Sequence, residues 1–200
     1  MDNLLKNELT VFNGLSPSSL CTRFDTKLEY FEIEDNNRVI VIHATTGSGT
    51  ARYHNPNGLD VVVIDYDGFL TGLPHNFQQG KERCDAIVYT LNNSYFLLNE
   101  LKDRNPKRVV LTKATSQLLS TLREITKVPI INSFVSAFAK KRCLYCNKQI
   151  LSPSTTINAT FAFNRIGVLA QNGLKLSNPQ IEALGFELFE FMGNHTINLV

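Results

Sequence analysis

The chain of 200 residues has no apolar run approaching the roughly 20 residues that a membrane-spanning helix needs. Its first residues, Met1-Asp2-Asn3-Leu4-Leu5-Lys6, lack both the cationic start and the long apolar stretch of a secretory signal. Four cysteines are too few for a disulfide scaffold in a chain of this length. Cys143-Leu144-Tyr145-Cys146 is a CxxC, but a structural zinc site needs four ligands, and Cys21 and Cys84 stand alone. Positions i and i+3 of a strand face opposite ways, so this pair reads as two core thiols. His43, His54, His75 and His195 show no ligand spacing. Gly47-Ser48-Gly49-Thr50 lacks the lysine of a phosphate-binding loop and reads as a plain loop. There is no internal repeat and no low-complexity tract. These absences lead us to expect a globular chain of the cytoplasm with no membrane partner.

What is present fits that expectation. A hydrophobic content of 43% with 19% charged residues is ordinary for a globular protein. The length suits one domain or a domain with a small appendage. The net charge of +2 conceals an asymmetry. Residues 1–100 hold 7 Lys/Arg against 13 Asp/Glu, whereas residues 101–150 hold 11 Lys/Arg against only Asp103 and Glu124. Such a basic block can supply phosphate contacts. Hydrophobic patterning predicts a helix over residues 1–13, strands over 27–34 and 38–44 joined by a turn at Asp35-Asn36-Asn37, and a buried strand over 61–67. Residues 47–58 and 73–80 read as loops. A helix is expected over 112–127, stopped by Pro129, followed by an ambiguous stretch over 128–139 and a strand over 142–147. Further on, 157–170 is undecided, 178–184 reads as a short helix and 186–192 as a strand. Ser152-Pro153-Ser154 marks a boundary. The expected organisation is a β-rich N-terminal extension (1–58), a core (59–151) and a small C-terminal extension (152–200), packed as one compact domain.

The most informative segment is a pair of apolar strands, Cys84-Asp85-Ala86-Ile87-Val88-Tyr89 and Leu97-Leu98-Asn99-Glu100-Leu101-Lys102, separated by Leu91-Asn92-Asn93-Ser94. Asparagine tolerates the positive φ of a tight hairpin turn. With Asn92-Asn93 as the turn, opposed residue numbers sum to 185, and Asp85 stands across from Glu100. Opposed residues share a face, and like charges there are destabilising. Side chains alternate with period two, so Lys102 joins the same face. Two carboxylates held together beside a buried strand imply a cation between them.

The order of apolar strand, Asp-bearing strand, Glu-x-Lys strand, helix and strand resembles the core of the PD-(D/E)XK nuclease superfamily. The residues that carry it are Asp85, fourteen intervening residues and then Glu100-Leu101-Lys102. The resemblance covers roughly residues 60–150, and Cys84 stands where the family pattern has proline. It implies an α/β (α+β) fold, with a restriction-endonuclease-like mixed central sheet flanked by helices. It further implies Mg²⁺ or Mn²⁺ held by Asp85, Glu100 and the backbone carbonyl of Leu101, with Lys102 orienting or activating water and Gln117 as an auxiliary residue. A hard cation prefers oxygen ligands, lowers the pKa of bound water and stabilises charge at a phosphate. The implied substrate is nucleic acid, DNA ahead of RNA, and the expected phosphate contacts are Arg104, Lys107, Arg108, Lys113, Lys140, Lys141 and Arg142. A homodimer is expected by analogy alone. Two alternatives stand beside this reading. One is a catalytically inactive binding or interaction module of the same fold. The other is a Mg²⁺-dependent phosphatase using Asp65 and Asp67, since Val63-Ile64-Asp65-Tyr66-Asp67-Gly68 resembles the first motif of haloacid-dehalogenase-like phosphatases.

Overall fold

The computed structural model describes residues 1–45, 47–78, 80–105, 107–149, 173–193 and 195–200. The N-terminal helix α1 is π-wound over Leu4–Leu9 and α-wound over Thr10–Phe12. It is followed by β1 (Arg23–Thr26), β2 (Tyr30–Asn36), β3 (Val39–His43), β4 (Ala51–His54) and β5 (Val61–Asp65). Two short helices, α2 (Tyr66–Thr71) and α3 (His75–Gln78), lead to β6 (Ala86–Thr90) and β7 (Tyr95–Lys102). Helices α4 (Arg108–Thr126) and α5 (Pro129–Ser136) precede β8 (Lys140–Asn147). The chain closes with β9 (Leu174–Leu176), α6 (Pro179–Glu182), β10 (Glu187–Met192) and β11 (Thr196–Asn198).

A seven-stranded mixed sheet, ordered β1-β5-β6-β7-β8-β10-β9, forms the centre, and β11-β4-β2-β3 form a second sheet. Strand periodicity sorts the central side chains into two cores. Val62, Ile64, Ile87, Phe96, Leu98 and Cys143 pack beneath α1, α2, α4 and α5. Val61, Val63, Val88, Leu97, Leu144 and Cys146 pack against Phe31, Ile33, Tyr53 and Ile197 of the second sheet. The molecule is thus three layers: helices, mixed sheet, small sheet. Burial on both faces explains why β5 to β8 read as nearly continuous apolar runs. The two CxxC thiols face opposite cores, as period two requires, and the four cysteines are free.

Strands β5, β6 and β7 form an antiparallel meander, after which α4 and α5 carry the chain over to β8, parallel to β7. A parallel neighbour demands such a crossover. Pro129 divides it: a residue before proline is pushed out of the helical region, and Val128 sits at φ −85°, ψ 111°. Proline is then accommodated at the first turn of α5, so the ambiguous stretch after α4 is helical.

The expected segments interleave. From the N-terminal segment, β1 pairs with β5; from the C-terminal one, β10 extends the central sheet beside β8 and β11 pairs with β4. The expected loop over 47–58 contains β4, that over 73–80 contains α3, and the strand at 61 ends at Asp65 because Asp65 caps α2. The boundary at 152–154 and the undecided stretch 157–170 lie outside the described residues. Among the described residues, no helix is long and apolar enough to cross a membrane.

Candidate active site

The β6–β7 hairpin has the expected register: Ala86 opposes Asn99 and Tyr89 opposes Phe96. The turn is wider than a two-residue one. Asn93 alone has a positive φ, 59°, and its N–H donates to Thr90 O at 3.1 Å. The Thr90 hydroxyl accepts from the N–H groups of Ser94 and Tyr95, so threonine closes the turn in place of a second left-handed residue. Asp85 stands one residue before β6 and steps out of that register: its N–H donates at 3.0 Å to Asn99 O, the residue already opposed by Ala86, so the strand bulges there. Its side chain reaches across the hairpin, where Oδ2 accepts from Leu101 N–H at 2.6 Å.

Glu100 and Lys102 follow Phe96 and Leu98 on the helix-facing side of β7. Lys102 Nζ donates to Glu100 Oε1 and lies 3.8 Å from Asp85 Oδ2, so one ammonium joins both carboxylates. Glu100 is fully buried and Asp85 is 7% exposed. Desolvation dominates their ionisation. Burial pushes the Asp85 carboxyl up to about 6, partly opposed by Lys102 and the Leu101 N–H. Burial, then the neighbouring Asp85 charge, raises the Glu100 carboxyl well above its ordinary value. For Lys102, burial works against the charge, but Glu100 and Asp85 outweigh it and hold the ammonium above its usual pKa.

The donor set fits a hard divalent ion. Two carboxylates converge, and Glu100 Oε2 is buried without a hydrogen-bond partner, an unsatisfied acceptor of the kind a cation relieves. Among the described residues no three His, Cys, Asp or Glu side chains cluster as ligands. A divalent ion here would be limited to Asp85, Glu100, backbone oxygen and water, the oxygen donors a hard cation prefers. The Lys102 ammonium must shift to admit it.

Beside the triad, Lys102, Arg104, Lys113, Gln117, Val109 and Val110 line a cavity of about 260 Å³ between the end of β7 and the first turns of α4. The nineteen-residue α4 has no acidic residue in its first turn, so its positive dipole end is not offset there. Gln117 is drawn to the site's rim by donating from Nε2 to Arg83 O at 3.0 Å. Arg104 is fixed through its backbone: buried Asn147 accepts from its N–H at 3.3 Å and donates to its carbonyl at 2.8 Å. Nothing local in the sequence marks Asn147 as this clamp. Lys107 stands at the N-cap of α4 and Arg108 at its first position, both exposed.

The remaining basic residues do not join the site. In parallel strands the starts lie side by side, and Lys140 opposes Tyr95 while Asn147 opposes Lys102. Seven residues of strand separate the two ends, on the order of 20 Å at 3.3 Å per residue. Lys140 Nζ donates to Tyr95 Oη at 2.8 Å, and Arg142 pairs with Glu187 at 3.3 Å over the Phe189 ring. The start of β8, with Lys141 beside them, is thus distant from the triad.

Asp65 binds backbone N–H groups and Asp67 an arginine side chain. Asp65 accepts from Gly68 N–H at 2.7 Å, capping α2, and from Ile40 N–H at 3.3 Å. A Cβ at position 68 would collide with that carboxylate, which is why glycine follows. Asp67 pairs with Arg83, whose guanidinium also donates to Thr71 at 2.9 Å. Both acidic residues of the phosphatase alternative thus have partners within the fold.

One wall of the site escaped the sequence reading. The β2–β3 turn, with Asn37 and Arg38 at φ 53° and 69°, lies over the end of β7. There Glu34, Asp35, Arg38 and Thr50 face Lys102, Asp103 and Arg104 across a cavity of about 520 Å³. The turn was legible in Asp35-Asn36-Asn37; its position over the triad depends on packing between sheets. No family model, curated protein or solved structure matches the chain.

Proposed function

We propose that this chain is a metal-dependent nuclease that hydrolyses phosphodiester bonds, DNA ahead of RNA. The observation that carries this reading is the meeting of Asp85, Glu100 and Lys102 at the end of adjacent strands, beside a cavity whose charged lining is cationic. Asp85 and Glu100 would hold a Mg²⁺ or Mn²⁺, which would supply Lewis-acid stabilisation and an acidified water. Lys102, kept protonated by its two carboxylate neighbours, acts as a cation and proton donor, not as a base. Its ammonium orients the attacking water and offsets charge growing on the phosphate oxygens. Arg104 and Lys113 hold the flanking phosphates, aided by the N-terminal dipole of α4. The Leu101 N–H fixes one Asp85 oxygen, so the carboxylate presents its other oxygen in a set direction.

The test is incubation of the full chain with DNA and RNA substrates in Mg²⁺ or Mn²⁺, against chelator and against Glu100→Gln. Metal-dependent cleavage lost in the variant is the expected result. Absence of cleavage of every substrate with either metal sinks the proposal.

A further inference from the structure

We infer that the substrate enters this site as a single strand and not as a duplex, an inference that rests on the nuclease reading of the triad. The two cavities, of about 260 and 520 Å³, share Lys102 and Arg104 and so adjoin at the end of β7, where together we read them as one trough beside the triad's lysine. Its walls are the first turns of α4 on one side and the tip of the β2–β3 hairpin on the other. Asp85 and Glu100 lie behind Lys102, which contacts both, Glu100 fully buried and Asp85 nearly so. A reacting phosphate must therefore descend between two projecting elements.

The walls differ in charge. The α4 side presents Lys102, Arg104 and Lys113 with no carboxylate. The hairpin side shares Lys102 and Arg104 and adds Glu34, Asp35 and Asp103 with Arg38, so the residues it contributes beyond the shared pair are mostly acidic. There Glu34 is shared with His43 at 2.9 Å and Lys148 at 3.5 Å, Asp35 Oδ1 accepts from Arg38 N–H at 2.7 Å, and Asp103 Oδ1 accepts from Gln149 at 3.0 Å. One wall thus suits a phosphate backbone. The other supplies acceptors for base-edge and sugar donors and repels a second line of phosphates. A duplex presents two phosphate lines and occupies the Watson–Crick edges of its bases, whereas a single strand leaves those edges free and satisfies both walls.

Binding of labelled single-stranded DNA and of the matching blunt duplex to the full chain, in Ca²⁺ to withhold cleavage, tests this. A featureless basic patch favours the duplex, whose charge density is higher. The expected result is single-strand binding tighter by about tenfold, equivalent to about 1.4 kcal/mol. Asp35→Asn with Asp103→Asn, which removes two negative charges from the hairpin wall, is expected to strengthen duplex binding and narrow the preference. In the wild type, equal or tighter duplex binding, or no binding of either, overturns the inference. Adding Mg²⁺ separates the two claims. A preferred single strand that is never cut leaves this inference standing and removes the nuclease reading, whereas equal cutting of duplex does the reverse.

Discussion

Lys102 balances two desolvated carboxylates, and its removal separates chemistry from folding. In Lys102→Ala, cleavage is expected to fall at least about 10²-fold, the range for a lost proton-transfer or charge-stabilising group. Circular dichroism should still report a native fold, because each carboxyl can take up a proton. Near-normal turnover by the variant would remove Lys102 from the mechanism. Asp85 gives a test by pH. Its folded pKa of about 6 lies above the ordinary aspartate value of 3.8, so the folded chain binds the proton more tightly than the unfolded one. The stability this contributes is fully present below pH 4 and lost as pH rises through 6, about 3 kcal/mol in all. Asp85→Asn escapes that loss. Denaturant titrations of metal-free protein should therefore show the variant gaining on wild type between pH 4.5 and 7.5. A pH-independent difference would contradict the burial argument. Mg²⁺ should stabilise wild type, but not the variant, more at pH 7.5 than at pH 4.5.

At the scale of elements, the direction of β8 decides which basic residues serve the site. Because β8 runs parallel to β7, Lys140 and Lys141 begin where β7 begins, while Arg104 and Lys113 follow its end. The salt dependence of nucleic-acid affinity should sort them. Replacing Arg104 and Lys113 by Ala is expected to make the log–log slope shallower by about 1.4 for single strands or 1.8 for duplex. The same change at Lys140 and Lys141 should leave it unaltered. An effect at Lys140 and Lys141 alone would move the binding surface to the other end of the sheet.

For the whole molecule, the C-terminal strands tie the two sheets together. β10 extends the central sheet and β11 joins the second, with Phe191 buried between them at 4% exposure. Phe191→Ala is expected to cost about 3–5 kcal/mol. At about 2–4 °C per kcal/mol for a chain this size, the midpoint should fall by on the order of 10 °C. One shared transition by fluorescence and circular dichroism is the expected form; two transitions would mean that the sheets unfold separately.

The chemistry of the hairpin was legible because its determinants are local. Asn93 and Thr90 close the turn within a few residues, and period two then assigns Asp85, Glu100 and Lys102 to one face. The α4 pattern and the proline that ends it are local in the same sense. What the linear chain does not display is anything that depends on distant closure. The pairing of β11 with β4 spans more than a hundred residues, and the clamp of Asn147 on Arg104 depends on β8 lying parallel to β7. So does the exclusion of Lys140 from the site. The hairpin tip that forms the trough's second wall is set by inter-sheet packing of Phe31, Ile33 and Tyr53. Such contacts arise from apolar burial, which is non-directional and leaves no motif at either partner. The sequence by itself thus determined which carboxylates meet, while only the tertiary structure decided what surrounds them.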